Sequence, residues 1–183
     1  MVLQEKLLTA DDLWEISHRE PGKRFELVQG VLIEMSPVGG LHGIIALKIG
    51  SLLLAHVEHN RLGVVTVETG YILENAPQTV RAPDVGFVRH ERMPQPFGPR
   101  YIPIAPDLAV EVVSPGDAAS EVEAKVLDYL RAGVALVWVI YPDTHTVMAH
   151  TAGDVQRRGP GDTLDGGAVL PGFTVSVSAI FPE

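Results

Sequence analysis

Two acidic residues stand in otherwise apolar segments and are the first candidates for chemistry. Glu111 lies within residues 108–113, where every other residue is Leu, Ala or Val. A carboxylate there is costly unless it is paired, hydrogen-bonded or bound to a metal. A glutamate exposed at the end of a strand would fit the position equally well. Asp84 precedes the apolar residues 85–88 and, by itself, fits an ordinary turn aspartate after a proline.

The spacing of the two acids favours one shared site. They are 27 residues apart (111 − 84 = 27), enough for a strand, a return loop and a neighbouring strand. Two such strands can bring Asp84 and Glu111 to one sheet edge. Mg²⁺ takes oxygen ligands from carboxylates, backbone carbonyls and water. We therefore predict a Mg²⁺ site here, in which Mn²⁺ can substitute.

Lys125 is the third candidate. In its predicted helix, Val122, Val126 and Tyr129 form an apolar stripe, and Lys125 borders that stripe. A lysine in this position can cover apolar surface with its stem or pair with Glu121 one turn earlier. It can also direct its ammonium group at the acidic pair, where it would orient water or stabilise charge on a phosphate. The presence of Asp84 and Glu111 favours the interpretation in which the Lys125 ammonium is directed at them.

The elements that must position these residues follow from hydrophobic periodicity and turn residues. Thr9 and Asp12 predict a capping box at the start of the first helix. Residues 89–106 contain five prolines and are expected to form an irregular loop. Helices are predicted at residues 10–17, 41–59 and 120–132, and strands at 25–28, 31–35, 64–73, 79–88, 108–113, 135–141, 146–150, 155–157 and 173–177. This order predicts an α/β fold, a mixed sheet with helices on its faces.

Composition excludes several classes of site. The 183 residues are 46% hydrophobic and 20% charged, which suits one globular domain over residues 1–183. The absence of cysteine excludes disulfides, a cysteine-ligated zinc site and a thiol nucleophile. The net charge of −9 counts against tight non-specific binding to nucleic acid but is compatible with a local basic groove and with bound divalent cations.

No targeting segment is evident. Residues 1–6 lack the basic and then apolar pattern of a signal peptide. The longest apolar run, residues 134–141, has the length of a strand, and no run reaches the length of a membrane span. We therefore expect a soluble cytoplasmic protein that does not bind a membrane.

Together, these residues resemble the Uma-two family of proposed restriction endonucleases, within the PD-(D/E)XK nuclease superfamily. The resemblance covers nearly the whole chain, and its ordered set of segments is specific although each segment alone is weak. The segments are Phe25-Glu26-Leu27-Val28-Gln29-Gly30, Met35-Ser36-Pro37, His42, Ala82-Pro83-Asp84-Val85, Glu111-Val112-Val113-Ser114-Pro115-Gly116-Asp117, Lys125-Val126-Leu127-Asp128-Tyr129, Gly133-Val134 and Val137-Trp138-Val139-Ile140-Tyr141-Pro142.

The resemblance implies a restriction-endonuclease-like fold, a mixed sheet core flanked by helices with extra β-hairpins, and a role for each site residue. Asp84 and Glu111 would be metal ligands, with the carbonyl of Val112 as a third. Lys125 would replace the superfamily lysine, which normally lies two residues after the glutamate, where this chain has Val113. The lysine must then reach the site from a helix.

Further residues are weighed beside these. Glu26 completes the acidic cluster or faces solvent from its strand, and His42 contacts a phosphate, activates water or is structural. Lys48 is a second candidate for the lysine. Asp117 and Asp128 are expected to be structural, as a turn or cap residue and as a helix-surface acid.

The predicted function is a Mg²⁺-dependent endonuclease, and the resemblance implies DNA as the substrate and products that carry 5′-phosphates. A homodimer would suit a small nuclease that cuts both strands, because it has two-fold symmetry. One alternative is a non-catalytic module of the same fold that binds nucleic acid or dimerises; a Lys125 ammonium pointing to solvent would favour it. Another is a metal-dependent hydrolase of small phosphates; a narrow cavity would favour that reading and an open cleft would count against it.

Overall fold

The computed structural model describes residues 6–95 and 98–182, and within them three α-helices accompany three β-sheets. The helices are α1 (Ala10–Arg19), α2 (Gly40–Asn60) and α3 (Ala119–Arg131). The strands are β1 (Arg24–Val28), β2 (Val31–Met35), β3 (Gly63–Val67), β4 (Tyr71–Asn75), β5 (Gln78–Arg81), β6 (Val85–Arg89), β7 (Leu108–Val112), β8 (Leu136–Tyr141), β9 (Thr146–His150), β10 (Val155–Arg158), β11 (Thr163–Asp165) and β12 (Thr174–Ser176). The predicted α/β class is confirmed.

The larger sheet has six strands in the order β10-β9-β8-β7-β6-β3. Only β7 and β8 are parallel in it, and α3 is the crossover between them. Ile45 of α2 shares a hydrophobic cluster with Val110 on one face, and Val126 of α3 shares another with Ala109 on the opposite face. Because neighbouring residues of a strand face opposite sides, Glu111 lies on the α3 side.

The smaller sheet has four antiparallel strands in the order β2-β1-β5-β4, with α1 packed against it. The turn of the β1–β2 hairpin has positive φ at Gln29 (49°) and Gly30 (78°), as a two-residue hairpin turn requires. The predicted capping box is present at α1, where the Thr9 side chain accepts a hydrogen bond from the Asp12 amide.

The chain changes sheet twice where the sequence predicted continuous strands. The predicted strand 64–73 is divided into β3 and β4, with Glu68 at a positive φ of 45° between them. The predicted strand 79–88 is divided into β5 and β6 at residues 82–84. Pro83 lies in that break and has no N–H to donate to a ladder. Asp84 thus lies where the chain passes from the smaller sheet to the larger one.

The proline-rich segment 89–106 is irregular, as expected, apart from a 3-10 turn at His90–Arg92 and a bridge between Tyr71 and Ile102. Residues 96 and 97 of this segment lie outside the described residues. So do residues 1–5, which carry most of the segment on which the signal-peptide expectation rests.

Helix α2 is long and apolar enough to cross a membrane by length and composition. It has 21 residues, with a mean hydropathy of 1.6 over the best 18-residue window. The expectation that no segment reaches such a length was therefore wrong, because the helix continues past His42 and Lys48, which interrupt the apolar run. One such helix is weak evidence for a membrane span, since core helices of soluble proteins pass the same test.

Candidate active site

The structure brings Asp84 and Glu111 together at one edge of the larger sheet. The antiparallel register of β6 and β7 pairs Val85 with Val110. Continuing that register by one residue places Asp84 opposite Glu111. The Asp84 Oδ2 atom also accepts a hydrogen bond of 2.7 Å from the amide of Val112, the residue after Glu111. The start of β6 and the end of β7 therefore present both acids at the same place.

Helix α3 supplies both hydrogen-bond donors to Glu111. The Lys125 Nζ atom lies 2.8 Å from Glu111 Oε2, and the Tyr129 hydroxyl donates to Glu111 Oε1 at 2.6 Å. Residues four apart on a helix lie on one face, so one side of α3 provides the two groups. Glu111 is only 6% exposed, whereas the Lys125 side chain is 20% exposed. The ammonium group points at the acid, and the Lys125 side chain as a whole is only partly buried.

The surroundings of Glu111 change its proton affinity. Burial is the main cause that raises the pKa of Glu111, to about 7; the Lys125 ammonium opposes the rise, and the charges of Asp84 and Glu26 contribute to it. Burial lowers the pKa of Lys125, but the charges of Glu111 and Glu26 outweigh it and leave that pKa above its ordinary value. An additional cation beside Glu111 would favour its carboxylate form.

His42 lies in the first turn of α2 and contacts the same acid. Its Nε2 atom is 3.2 Å from Asp84 Oδ2, and its side chain is 7% exposed. Burial lowers the pKa of His42, but the hydrogen bond and charge of Asp84, followed by the charge of Asp117, outweigh burial and raise it. The buried Nδ1 atom has no hydrogen-bond partner among the residues that the structure describes.

A second charged cluster borders the first. The Arg81 guanidinium, at the end of β5, donates to Glu26 Oε2 at 2.7 Å and to Asp128 Oδ2 at 2.6 Å and 3.0 Å. The other oxygen of Glu26 accepts from the amide of Ala82 at 2.9 Å. Strand β1, strand β5 and helix α3 are thereby joined at Arg81, three residues before Asp84.

Sequence reasoning missed two members of this arrangement. Tyr129 was assigned only to an apolar stripe, although its hydroxyl reaches Glu111. Arg81 was not singled out, and Asp128, expected on the helix surface, is largely buried against it. An arginine within the otherwise uncharged residues 78–83 was the one available signal.

The remaining candidates take up other positions. Val112 contacts Asp84 through its amide N–H, so a role for its carbonyl remains a prediction. Lys48 donates to the Phe181 carbonyl at 3.0 Å rather than to either acid of the pair. Asp117 accepts a hydrogen bond from the Ser114 amide at 2.8 Å, as expected of a turn residue.

The donor set suits a cation that needs few protein ligands. Within residues 6–95 and 98–182, no group of three or more His, Asp or Glu side chains is arranged to hold a metal ion. Side-chain ligands would therefore come from the two acids of the pair. The two clusters nevertheless contain four carboxylates and two basic side chains. If all are ionised, their charges sum to 2 − 4 = −2. The carboxylates are those of Glu26, Asp84, Glu111 and Asp128, and the basic side chains are those of Arg81 and Lys125.

Two cavities of about 350 Å³ each lie away from the acidic pair. One is at the opposite edge of the larger sheet, lined by residues including Arg89, Leu136 and Leu164. The other lies beside the β1–β2 turn, lined by residues including Lys6 and Gly30. Neither is lined by Asp84 or Glu111.

Comparison with solved structures defines the class of fold. The chain superimposes on the crystal structure of a protein from Anabaena variabilis ATCC 29413, described as a putative nuclease belonging to DUF820. The TM-score is 0.81 at 21% sequence identity, over 95% of this chain and 97% of that chain. The restriction-endonuclease-like fold implied by the resemblance is thus supported over nearly the whole length. No curated protein matches the chain.

The family follows from a family model that matches residues 10–178. Its description is "Putative restriction endonuclease", and the chain belongs to this family, Uma2. The resemblance noted from the sequence is therefore confirmed. Family and fold together place the chain among nuclease-like proteins.

Proposed function

We propose that the protein is a Mg²⁺-dependent endonuclease that hydrolyses phosphodiester bonds of DNA. One observation carries the proposal: the Lys125 ammonium lies 2.8 Å from Glu111, on the strand next to Asp84. A paired acid and a cation beside it are what metal-assisted phosphoryl transfer uses. The lysine missing at Val113 is thus replaced from α3.

The proposed Mg²⁺ would be held by Asp84 and Glu111, with the Val112 carbonyl and water completing the ligands. Mg²⁺ commonly takes one or two protein carboxylates and keeps several waters, so the absence of a third acidic ligand fits it. Mn²⁺ would substitute. Counted with every carboxylate ionised and His42 neutral, the charge excess of −2 around the pair favours a bound cation. When bound, the ion would polarise the scissile phosphate and lower the pKa of a bound water.

The chain's own residues have separate tasks in this proposal. Lys125 favours the carboxylate form of Glu111 against the effect of burial, and it presents N–H donors to the phosphate. His42 holds Asp84 and is near enough to the pair to take up or donate a proton. Glu26 positions Asp84 indirectly, because its contacts with Arg81 and the Ala82 amide fix the backbone that leads to Asp84.

The choice of a nucleic-acid substrate rests on the family match. Asp84 and Glu111 lie at a sheet edge, outside both cavities described above. A small-phosphate hydrolase would be favoured by an enclosed cavity at the acids. DNA rather than RNA, and products with 5′-phosphates, rest on the family resemblance. A non-catalytic module is disfavoured because the Lys125 ammonium points at Glu111 rather than at solvent alone.

The test is cleavage of supercoiled plasmid and of labelled oligonucleotides with Mg²⁺, with Mn²⁺ and with chelator. Asp84→Asn and Lys125→Met should each lower the rate about 10²-fold or more, since each removes charge aimed at the transition state. Lys23→Met is the matched control because Lys23 lies outside the acidic pair, in the β1–β2 region, and forms a surface ion pair with Glu34. Equal rates for all four proteins would show that the activity is a contaminant.

A further inference from the structure

The exposed side of α2 is unusually apolar for a surface helix. Leu41, Ile44, Leu47 and Leu54 are all exposed, and Leu47 is 69% exposed. Val67, at the end of edge strand β3, extends this surface: it is 60% exposed, and its Cγ1 lies 3.9 Å from where a Cβ on Gly50 of α2 would be. We call these five exposed side chains the α2 face. Monomeric soluble proteins rarely expose a contiguous apolar patch larger than a few hundred Å².

The charge of the α2 face is as unusual as its hydropathy. Residues 40–57 contain a single charged residue, Lys48, whose ammonium is engaged with the Phe181 carbonyl, although a fifth of the chain is charged. A surface helix normally turns charged residues to solvent. A surface for DNA would need lysine and arginine, and an interfacial membrane helix would carry them on its polar side. The partner must therefore itself be apolar and uncharged.

The spacing identifies such a partner. Exposed residues at positions 44, 47, 51 and 54 follow the 3-4-3 spacing of a helix–helix seam, with the small Ser51 near the middle. The seam is symmetric about position 49, since 44 + 54 and 47 + 51 both equal 98. An antiparallel copy of α2 would therefore set Ile44 against Leu54 and Leu47 against Ser51. An isologous interface requires this kind of self-complementarity.

The ends of the seam agree with that orientation. The same symmetry sets position 40 against position 58, so Glu58 of each copy would lie beside the start of the other copy's α2. That start has no acidic residue in its first turn and no side-chain cap at Gly39. A carboxylate is favourable beside a helix N-terminus. Parallel pairing would instead oppose two Glu58 side chains.

The available area is enough for a specific interface. A helix of 21 residues is about 31 Å long and roughly 10 Å wide. One face of the helix, together with Val67 and with Val38 just before α2, offers a contact area on the order of 500 Å² per copy. Two copies would bury about 1,000 Å² in total, the area of a small specific interface. We propose that the α2 face binds a second copy of this chain, antiparallel and centred between Leu47 and Ser51.

The proposed dimer would bring two candidate active sites into one particle. His42, at the beginning of α2, would lie opposite position 56 of the other helix, so the two histidines would be about 21 Å apart along the helix axis. Paired sites suit cleavage of both strands of a duplex, a point that rests on the proposed function. The dimer itself does not need nuclease activity, so the two proposals fail separately.

The first test is sedimentation equilibrium of the full chain between about 1 and 100 µM, where an interface at the small end of stable complexes should associate. We expect twice the 19.7 kDa chain mass. Leu47→Glu should weaken association about a hundredfold or more, because its carboxylate would be buried without a partner. Val155→Glu, at a residue 51% exposed on β10, is the matched control and should remain dimeric.

A wild-type chain that is monomeric throughout this range overturns the proposal, whether or not it sediments with vesicles of phosphatidylcholine and phosphatidylglycerol. So does a Leu47→Glu chain that is folded by circular dichroism and still dimeric. Since the chain contains no cysteine, a single introduced thiol reports orientation cleanly. A short bis-maleimide should cross-link Leu47→Cys but not Leu41→Cys, whose two copies would be about 24 Å apart; cross-linking at Leu41 overturns the antiparallel arrangement.

Discussion

Removing one hydroxyl group gives a sharp measure of how Glu111 is held. The Tyr129 hydroxyl donates to Glu111 Oε1 at 2.6 Å, and both residues are buried. Burial, followed by the charges of Glu111 and Glu26, holds the pKa of Tyr129 well above its ordinary value, so the hydroxyl remains a donor. Tyr129→Phe deletes that donor, leaves the ring packing unchanged and leaves Glu111 with Lys125 alone.

The expected loss follows from the type of bond. A hydrogen bond to a charged group contributes about 1.5–3 kcal/mol, so at a pH above the Glu111 pKa, where that acid is ionised, Tyr129→Phe should lower the free energy of unfolding by about 2 kcal/mol. In a chain of this length each kcal/mol shifts Tm by roughly 2–4 °C, which gives a decrease of about 4–8 °C. Tyr141→Phe is the control: Tyr141 is only partly buried, so its Tm should change by less than about 2 °C.

The assay is thermal unfolding followed by circular dichroism, in chelator so that metal does not contribute. Urea titration should give the same difference without a change in m-value. If Tyr129→Phe unfolds within a degree of the wild type, the hydroxyl does not stabilise Glu111, and the account of how α3 holds that acid is refuted.

Three further predictions concern the same region and its neighbours. Arg81→Met should destabilise the chain by about 3–5 kcal/mol in urea because Glu26 would be left buried without its cation; adding Glu26→Gln should recover part of the loss, and strict additivity would contradict the pairing. Mg²⁺ at about 100 times its Kd should stabilise the wild type by about 2.7 kcal/mol, seen as a higher Tm that Asp84→Asn lacks; an equal shift in both proteins would place the ion elsewhere. Thr9→Ala should lower the stability by about 1 kcal/mol through loss of the α1 cap, whereas Ser17→Ala in the same helix should have little effect, and equal Tm values for the two would contradict the capping role.

Local patterns in the sequence were enough for much of the fold. The first helix and the β1–β2 hairpin were predicted because capping and turn residues act over three or four positions. The breaks within residues 64–73 and 79–88 were not predicted, although Gly70 and Pro83 are local signals for them, because strong β-forming residues flank each break. Whether such a segment continues in one sheet or crosses to another is decided by long-range packing.

In the candidate site, too, the residues with a local signal were predicted and those that depend on long-range contacts were not. Asp84, Glu111 and Lys125 were identified because each is a charge in apolar surroundings, which is a local property. The contribution of Arg81 was not visible, because its two partners lie 55 and 47 residues away in the chain and only the folded structure brings them together. Tyr129 was missed for another reason: a tyrosine serves equally as an apolar and as a polar residue.

The crossing of the chain between the smaller and the larger sheet has a consequence for biosynthesis. Strand β6 begins directly after Asp84 and β7 contains Glu111, so the larger sheet pairs the two acids, whereas the Arg81 and Glu26 contacts that fix the backbone before Asp84 come from the smaller sheet. A folding intermediate in which only the larger sheet has formed would lack those contacts and would hold Asp84 less firmly. We therefore expect a newly made chain to be unable to complete its site until both sheets have docked, so that full hydrolytic activity would emerge only with the finished fold.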